Sequence, residues 1–195
     1  MITIPRRDLI TAAFVCAVAL MTTLLPISHV QAQPADPVIG TWELNLTKSR
    51  FAPGPVPRSQ TRTYEEVPAV SGMMKIRGTD AQGRPTLIEY PVVPGAGIIK
   101  MSAKVVSGDG TPTLLEYTAS YDGREYPFFG NPDADTISLK RLDDFTAEGI
   151  TRKAGKLVST GRREISKDGK IMTITSKGKN AKGEMINNTL VFDKR

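Results

Sequence analysis

The chain has 195 residues and a formal net charge of +6, with a single cysteine and a single histidine. Both of these residues, Cys16 and His29, lie within residues 1–32, which have the layout of a cleavable signal peptide. The remaining chain therefore has no disulfide, no zinc site of the usual type and no nucleophile activated by an imidazole. Those exclusions leave binding functions and carboxylate chemistry.

Residues 1–32 are predicted to be a secretory signal helix that is removed after export. Arg6 and Arg7 precede an apolar stretch over residues 9–27, and small residues around Ala32 provide a cleavage site. The paired arginines also fit a twin-arginine signal, so both that route and the Sec route remain open. We expect a periplasmic or secreted protein, cleaved after Ala32.

Residues 33–195 are predicted to form one all-β domain, because helical periodicity is rare there and period-two alternation is common. Residues 41–47, for example, place Trp42, Leu44 and Leu46 on one face of a strand. The same alternation occurs at 136–141, 171–177 and 186–192.

Short turns are predicted between these strands, because glycine supplies the positive φ angles of tight hairpins. The turn pairs are Gln82-Gly83, Asp109-Gly110, Asp122-Gly123, Ala154-Gly155, Asp168-Gly169 and Lys182-Gly183. The proline-rich residues 52–57 are predicted to be an irregular covering or crossing loop.

One hexapeptide occurs twice, as PTLIEY at 85–90 and as PTLLEY at 112–117. Each copy ends a strand-turn-strand unit, over 73–90 and 99–117, and each begins with a proline that a strand tolerates at its start. We interpret the second copy as a duplicated hairpin added to a meander. Chance similarity is the alternative, because six residues are few.

About ten strands joined by short turns favour an antiparallel up-and-down meander. Closing that meander into a barrel of about 8–10 strands removes the exposed edges of an open sheet. A sandwich is the alternative architecture.

The two ends of the mature chain carry a resemblance. Gly40-Thr41-Trp42 opens the first strand, and the last strand finishes with Val191–Arg195. This resembles the lipocalin-like (calycin) barrels, in which the first-strand tryptophan packs at the closed end beneath a basic side chain from the last strand. The resemblance implies a lipocalin-like barrel.

Longer stretches are similar to a family of small exported bacterial proteins with no assigned activity. These stretches are residues 40–65, 122–143 and 166–184, which together cover most of the mature chain. Relative to that family, the residues around 91–117 form the extra hairpin.

The densest aromatic cluster supplies the candidate ligand-binding residues, because tyrosine combines apolar area with a polar tip at the mouth of a cavity. A plug of barrel core is the alternative. The cluster consists of Tyr117, Tyr121, Tyr126, Phe128 and Phe129.

Basic residues are concentrated over 150–182, where ten lysines and arginines face only Glu164 and Asp168. Outside the cytoplasm such a face favours anionic lipid or envelope polymer over nucleic acid. Solvated outer strand faces are the alternative. The candidate residues for anionic-surface binding are Arg152, Lys153, Arg162, Arg163 and Lys177.

Oxygen ligands alternate over residues 131–135, as in a calcium loop. An EF-hand also needs glycine and glutamate where this chain has Thr136 and Leu142, so an Asx turn is the better interpretation. Glu89, Glu116 and Glu125 could supply acid–base carboxylates, but no spacing distinguishes them. We assign no catalytic residue and expect no metal and no cofactor.

The sequence therefore predicts an exported, monomeric protein that binds a small, partly apolar ligand or envelope component without catalysis. The first alternative is a surface-interaction module that docks on anionic lipid or polymer through the 150–182 face. The second is an enzyme that uses carboxylates or a Ser-Lys pair. Nucleic acid is not an expected partner.

Overall fold

The computed structural model describes residues 35–68, 73–79, 84–91, 97–180 and 182–195. The predicted signal peptide and the Gln82-Gly83 turn lie outside these residues. None of the described residues belongs to a helix that could cross a membrane. The strands are β1 Gly40–Leu44, β2 Ser59–Glu66, β3 Met73–Thr79, β4 Pro85–Pro91, β5 Ile98–Val106, β6 Pro112–Ser120, β7 Asp122–Phe129, β8 Thr136–Arg141, β9 Thr146–Lys153, β10 Lys156–Ile165, β11 Ile171–Lys179 and β12 Met185–Lys194.

Ten of these strands form a closed antiparallel barrel in the order β1-β12-β11-β10-β9-β8-β7-β6-β5-β2. The all-β class and the closed barrel are thus confirmed. Strand β1 closes the ring, because Trp42 pairs with Lys194 of β12 on one side and with Arg62 of β2 on the other. Closure leaves no unpaired edge in the ring, which is the physical advantage that favoured it from sequence.

The two copies of the repeat lie in different sheets. Strands β5 and β6, which hold the second copy, belong to the barrel. Strands β3 and β4, which hold the first copy, form a separate two-stranded sheet between β2 and β5 in the chain. The hairpin outside the barrel is therefore the one that holds the first copy, and duplication of a hairpin stays a prediction.

Aromatic side chains of β7 contact both copies of the repeat. Tyr90 of the first copy lies 4.8 Å from Tyr126, centroid to centroid, and Tyr117 of the second copy meets Phe128 edge-on at 5.4 Å. The ring of Phe129 lies so close to Gly78 of β3 that a Cβ there would overlap it. Packing on β7 thus holds the β3–β4 hairpin against the barrel, although these two strands are not part of the barrel sheet.

Several predicted turns have the expected geometry. The amide of Asp133 donates to the Oδ1 of Asn131 at 3.0 Å, which is an Asx turn. Strand β1 is shorter than predicted, because the Oδ1 of Asn45 accepts from the Thr47 hydroxyl and from the Lys48 amide at 2.7 and 3.1 Å. That turn leaves Leu46 39% exposed. Positive φ angles occur at Gly110, Gly123, Gly155, Gly169 and Gly183.

Inner side chains fill one end of the barrel, which we call the closed end. The most deeply buried among them include Trp42, Met101, Met172 and Phe192, each 0% exposed. The indole Nε1 of Trp42 donates to the carbonyl oxygen of Val38 at 2.7 Å. The side chains at the opposite end, which we call the open end, leave space.

Candidate ligand site in the barrel lumen

A cavity of about 260 Å³ lies in the lumen toward the open end. Its apolar wall includes Tyr117 and Phe128, together with Ile137 and Leu139 of β8. Leu190 of β12 completes that wall from the other side of the barrel. The cavity therefore combines the aromatic and aliphatic surface that small-molecule sites in proteins use.

The cavity exists because three neighbouring strands carry small residues on their inner faces. Gly149 of β9 pairs with Gly161 of β10, and Gly161 pairs with Ser176 of β11. Thr151 and Ser159 follow one step farther along and share a hydrogen bond of 2.8 Å between their hydroxyls. Strand alternation points all of these positions inward, so the space that larger side chains would fill stays open.

Two arginines border the cavity from the inside of the barrel, Arg62 of β2 and Arg163 of β10. The Nη1 of Arg62 lies 3.5 Å from the hydroxyl of Tyr64. Its guanidinium stacks over Phe192 at 5.1 Å from the ring centroid. With the Gln60 amide turned so that its oxygen faces Arg62, that oxygen accepts from the arginine at 2.9 and 3.1 Å.

Only some of the hydrogen-bond donors of the Arg163 side chain have an acceptor. Its Nη2 donates to the hydroxyl of Tyr121 at 2.5 Å, and its guanidinium carbon lies 5.3 Å from the ring centroid of Tyr64. Its Nε is buried and has no hydrogen-bond partner among the described residues. A buried donor without an acceptor is uncommon in native proteins and calls for an explanation.

The carboxylate of Asp36 is connected to Arg163 through a hydrogen-bond chain, but it already forms an ion pair with another arginine. The hydroxyl of Tyr121 donates to the Oδ2 of Asp36 at 2.8 Å, and Arg141 donates to the same oxygen at 2.6 Å. Asp36 thus forms its ion pair with Arg141 and reaches Arg163 only through the tyrosine. Within the described residues, the lumen therefore has more positive than negative charge.

The pKa values of the lumen tyrosines depend on burial and on the positive charge of the two arginines. Burial raises the pKa of Tyr117 and Tyr121 well above the ordinary value. Burial acts in the same direction on Tyr64, but the charges of Arg62 and Arg163 outweigh it and leave the pKa of Tyr64 lowered. The surroundings of the Tyr64 hydroxyl therefore stabilise a negative charge.

Arg163 itself stays protonated. Burial alone would lower the pKa of Arg163, but the neighbouring Tyr121, Tyr64 and Tyr117 raise it above the ordinary value. The cavity consequently keeps a fixed positive charge at every physiological pH.

The structure separates the five aromatic residues predicted from sequence. Tyr117 and Phe128 line the lumen cavity. Tyr121 lies near the closed end with Asp36, Tyr126 packs at a tilt against Tyr90, and Phe129 packs on Gly78. Sequence reasoning did not select Arg62 or Tyr64 as site residues.

The predicted basic residues do not share one surface either. Arg152 and Arg162 form ion pairs of 3.0 Å with Glu125 and Glu164, whereas Lys153 and Lys177 are exposed. We expected Arg163 on the outer surface, but its side chain lies inside the barrel. It pairs in register with Ala147 and Ile174 on the inner face of the barrel, whereas its neighbour Arg162 faces outward. Alternation in phase with the buried Ile165 was the sequence signal for this placement.

The three candidate carboxylates do not converge. Glu89 is paired with Lys75 at 3.0 Å and Glu125 with Arg152 at the same distance. Glu116 lies on β6 opposite Ser102. None of these glutamates is among the described residues that line the lumen cavity.

Comparison of the chain with protein-family models, with curated proteins and with solved structures found no match. The closed antiparallel barrel is compatible with a lipocalin-like architecture. Trp42 is fully buried near its closed end, and the Nζ of Lys194 on the last strand lies 5.0 Å from the centroid of its ring. That is the arrangement of tryptophan and basic side chain that the resemblance implies.

Proposed function

We propose that this protein is an exported, lipocalin-like barrel that binds a small, partly apolar molecule in its lumen without transforming it. The observation that carries the proposal is the lumen cavity, with an apolar wall on β6, β7 and β8 and polar groups on β2 and β10. A few polar groups converging on an apolar pocket are the usual composition of a binding site. Export rests on the signal-peptide pattern of residues 1–32.

The dimensions of the cavity favour a small ligand. Its volume of about 260 Å³ lies just below the range of roughly 300–1,000 Å³ that is typical of ligand pockets. A compact molecule with one polar end and a short apolar body fits both the volume and the lining. The described lining offers guanidinium, hydroxyl and amide groups, and its carboxylate, Glu148, is exposed opposite Arg162. This composition favours binding over catalysis.

Docking through the 150–182 face has weaker support. Arg152 and Arg162 already pair with carboxylates of the chain, and exposed ion pairs of this kind compete with an external anion. The inward position of Arg163 removes one further charge from that face. The observations therefore favour the lumen.

Native mass spectrometry of the mature protein, purified gently from its own envelope, tests the proposal. Ser176 lines the cavity, whereas the adjacent Thr175 faces outward opposite Arg162. We expect the wild type and Thr175→Leu to carry a bound small molecule, and Ser176→Leu to lose it because leucine fills the lumen. A bare mass for the wild type, repeated after incubation with envelope extract, would reject the proposal and direct attention to the basic face.

A further inference from the structure

The hairpin outside the barrel has an edge that the barrel itself lacks. Strand β3 pairs with β4 along its whole length, and on its other side it pairs with no strand of the described residues. Strand β4 begins and ends with a proline, which cannot donate to a sheet, whereas β3 contains none. The backbone N–H and C=O groups on such an edge are a template for pairing with another chain.

A groove of about 590 Å³ follows this edge of β3. It is lined by five consecutive residues, from Met73 to Arg77. Neighbouring side chains of a strand point to opposite faces, so a groove that touches five in a row runs along the edge of the strand and not over one face. Because β4 occupies one edge, the groove follows the other. The barrel forms the opposite wall, with Val67, Pro68, Ile98, Lys100 and Thr118.

The two faces of β3 differ in chemistry beside this edge. Met74 and Ile76 share a face with Gly78, which packs on Phe129 of the barrel, and they are 7% and 3% exposed. Lys75 and Arg77 lie on the other face and are exposed. A strand added to this edge would therefore place its side chains alternately beside buried apolar groups and beside cations.

The charges that line the groove are positive. Lys75, Arg77 and Lys100 line it, and no carboxylate is among the described residues that do so. Lys75 pairs with Glu89 of β4 at 3.0 Å, whereas Arg77 and Lys100 form no ion pair within the described part of the chain. Glu65 lies opposite Lys100 in register without forming one. The groove therefore complements a negatively charged partner.

A second copy of the chain is a poor partner for the same reason. In an antiparallel pair of two β3 strands centred on Ile76, Lys75 of each copy would lie opposite Arg77 of the other. Like charges directly opposite each other destabilise a sheet, and opposite charges stabilise it. The edge of β3 thus disfavours self-association and favours an acidic strand.

We infer that the unpaired edge of β3 binds an extended peptide segment as an added strand, and that this segment alternates acidic with apolar side chains. Backbone hydrogen bonds along the edge supply affinity, and alternate side chains supply specificity. The acidic side chains lie beside Lys75 and Arg77, and the apolar ones enter the groove beside Met74 and Ile98. This surface is separate from the lumen, so the inference goes beyond the proposed function.

Fluorescence anisotropy with two labelled heptapeptides tests the inference, because seven residues match the length of β3. One peptide alternates valine with glutamate, and the other alternates valine with lysine. We expect the mature protein to bind the acidic peptide roughly tenfold more tightly or better, because like charges facing each other across an interface are strongly unfavourable. The acidic peptide methylated on its backbone nitrogens keeps its charges but cannot pair as a strand, and it should lose a similar factor.

A charge reversal in the groove tests the site itself. Arg77→Glu should weaken binding of the acidic peptide roughly tenfold or more. Lys104→Glu is the matched control, because Lys104 is exposed on β5 outside the groove and the net charge changes equally. It should leave the affinity within about twofold, since salt screens exposed charges at a distance. If Arg77→Glu fails to fold, Lys100→Gln removes a charge from the opposite wall and should also weaken binding.

Amide hydrogen exchange followed by NMR identifies the strand that pairs. The acidic peptide should slow exchange in β3 and leave β4 unchanged. Protection of β4 alone, equal affinities for the two peptides, or undiminished binding of the methylated peptide would each overturn the inference. So would the absence of acidic-peptide binding at millimolar concentration.

Vesicles of phosphatidylglycerol and phosphatidylcholine in equal parts separate a peptide from a lipid surface. Vesicle binding that Arg77→Glu abolishes, without any binding of the acidic peptide, would assign the groove to lipid and reject the added strand. None of these outcomes bears on the proposed function, because that function concerns the lumen.

Discussion

The two ends of the barrel are built on the same ten strands and differ in what their inner side chains do. At the closed end, Trp42, Met172 and Phe192 are each 0% exposed and fill the lumen. At the open end, Gly149, Gly161 and their small neighbours leave a cavity of about 260 Å³. The number of strands fixes how wide a barrel is. Side-chain size on three adjacent strands then decides whether the interior of the barrel is a packed core or an open binding site.

The largest difference between the ends is expected in stability. Trp42→Ala should lower the free energy of unfolding by roughly 3–5 kcal/mol, because it removes a fully buried ring and leaves a void in close packing. It also removes the hydrogen bond to Val38 and the contact with Lys194. Leu190→Ala at the open end should cost only about 1 kcal/mol, because that side chain is half-buried beside a space that already exists.

Urea unfolding of the two variants, each followed by circular dichroism, measures this contrast. Equal losses would show that the open end is packed as tightly as the closed end in solution. That result would contradict the division of the barrel into core and site.

Alkaline pH should also weaken the fold through a tyrosine near the closed end. Burial raises the pKa of Tyr121, which lies between Arg141, Arg163 and Asp36. A tyrosine with a raised pKa in the folded state stabilises that state fully below about pH 10. The unfolded chain releases its proton first above that pH, so the stabilisation declines as pH rises.

Tyr121→Phe removes this contribution. The stability of the variant should fall less steeply above pH 10 than that of the wild type, by up to about 1.4 kcal/mol per pH unit. Lysine deprotonation affects both proteins alike and cancels in the comparison. Urea unfolding at pH 9, 10 and 11 gives the two slopes, and parallel slopes would show that Tyr121 titrates as an exposed phenol does.

Local pattern predicted much of the fold, because period-two alternation and glycine turns are local properties. Residues 136–141, which alternate Ile137 and Leu139 with polar neighbours, form β8 over those same residues. The edge argument then favoured closure, since only pairing the first and last strands satisfies both edges. Pairing of β1 with β12 is the observed solution.

The two copies of the hexapeptide show where local pattern stops. PTLIEY and PTLLEY have the same alternation, yet only the second copy lies in the barrel. What separates them is long-range strand pairing, which no local pattern encodes: β6 pairs with β5 and with β7, whereas β4 pairs with β3 in a separate sheet. Arg163 was misplaced for a related reason, because its charge suggested the surface although its phase with Ile165 pointed inward.

The smallest expected effect tests the glycine pair that keeps the open end open. Gly149 and Gly161 face each other across β9 and β10, but their surroundings differ. A Cβ on Gly149 would meet a side-chain carbon of Leu139 at 3.5 Å, which is an ordinary contact, whereas one on Gly161 would lie 2.9 Å from the backbone oxygen of Thr175. The two positions should therefore respond to alanine with opposite signs.

Gly149→Ala should raise the free energy of unfolding by about 0.5 kcal/mol, because alanine restricts the unfolded chain and fits the strand. Gly161→Ala should lower it by about 1 kcal/mol, because β11 must move to accept the methyl group. Thermal unfolding resolves these changes as shifts of roughly 1–4 °C. A gain at both positions would mean that β10 and β11 can separate without loss, so that the width of the open end would not be set by the backbone contact at Gly161. A loss at Gly149 would mean that the lumen wall beside Leu139 has no room for even one methyl group, which would contradict the cavity itself.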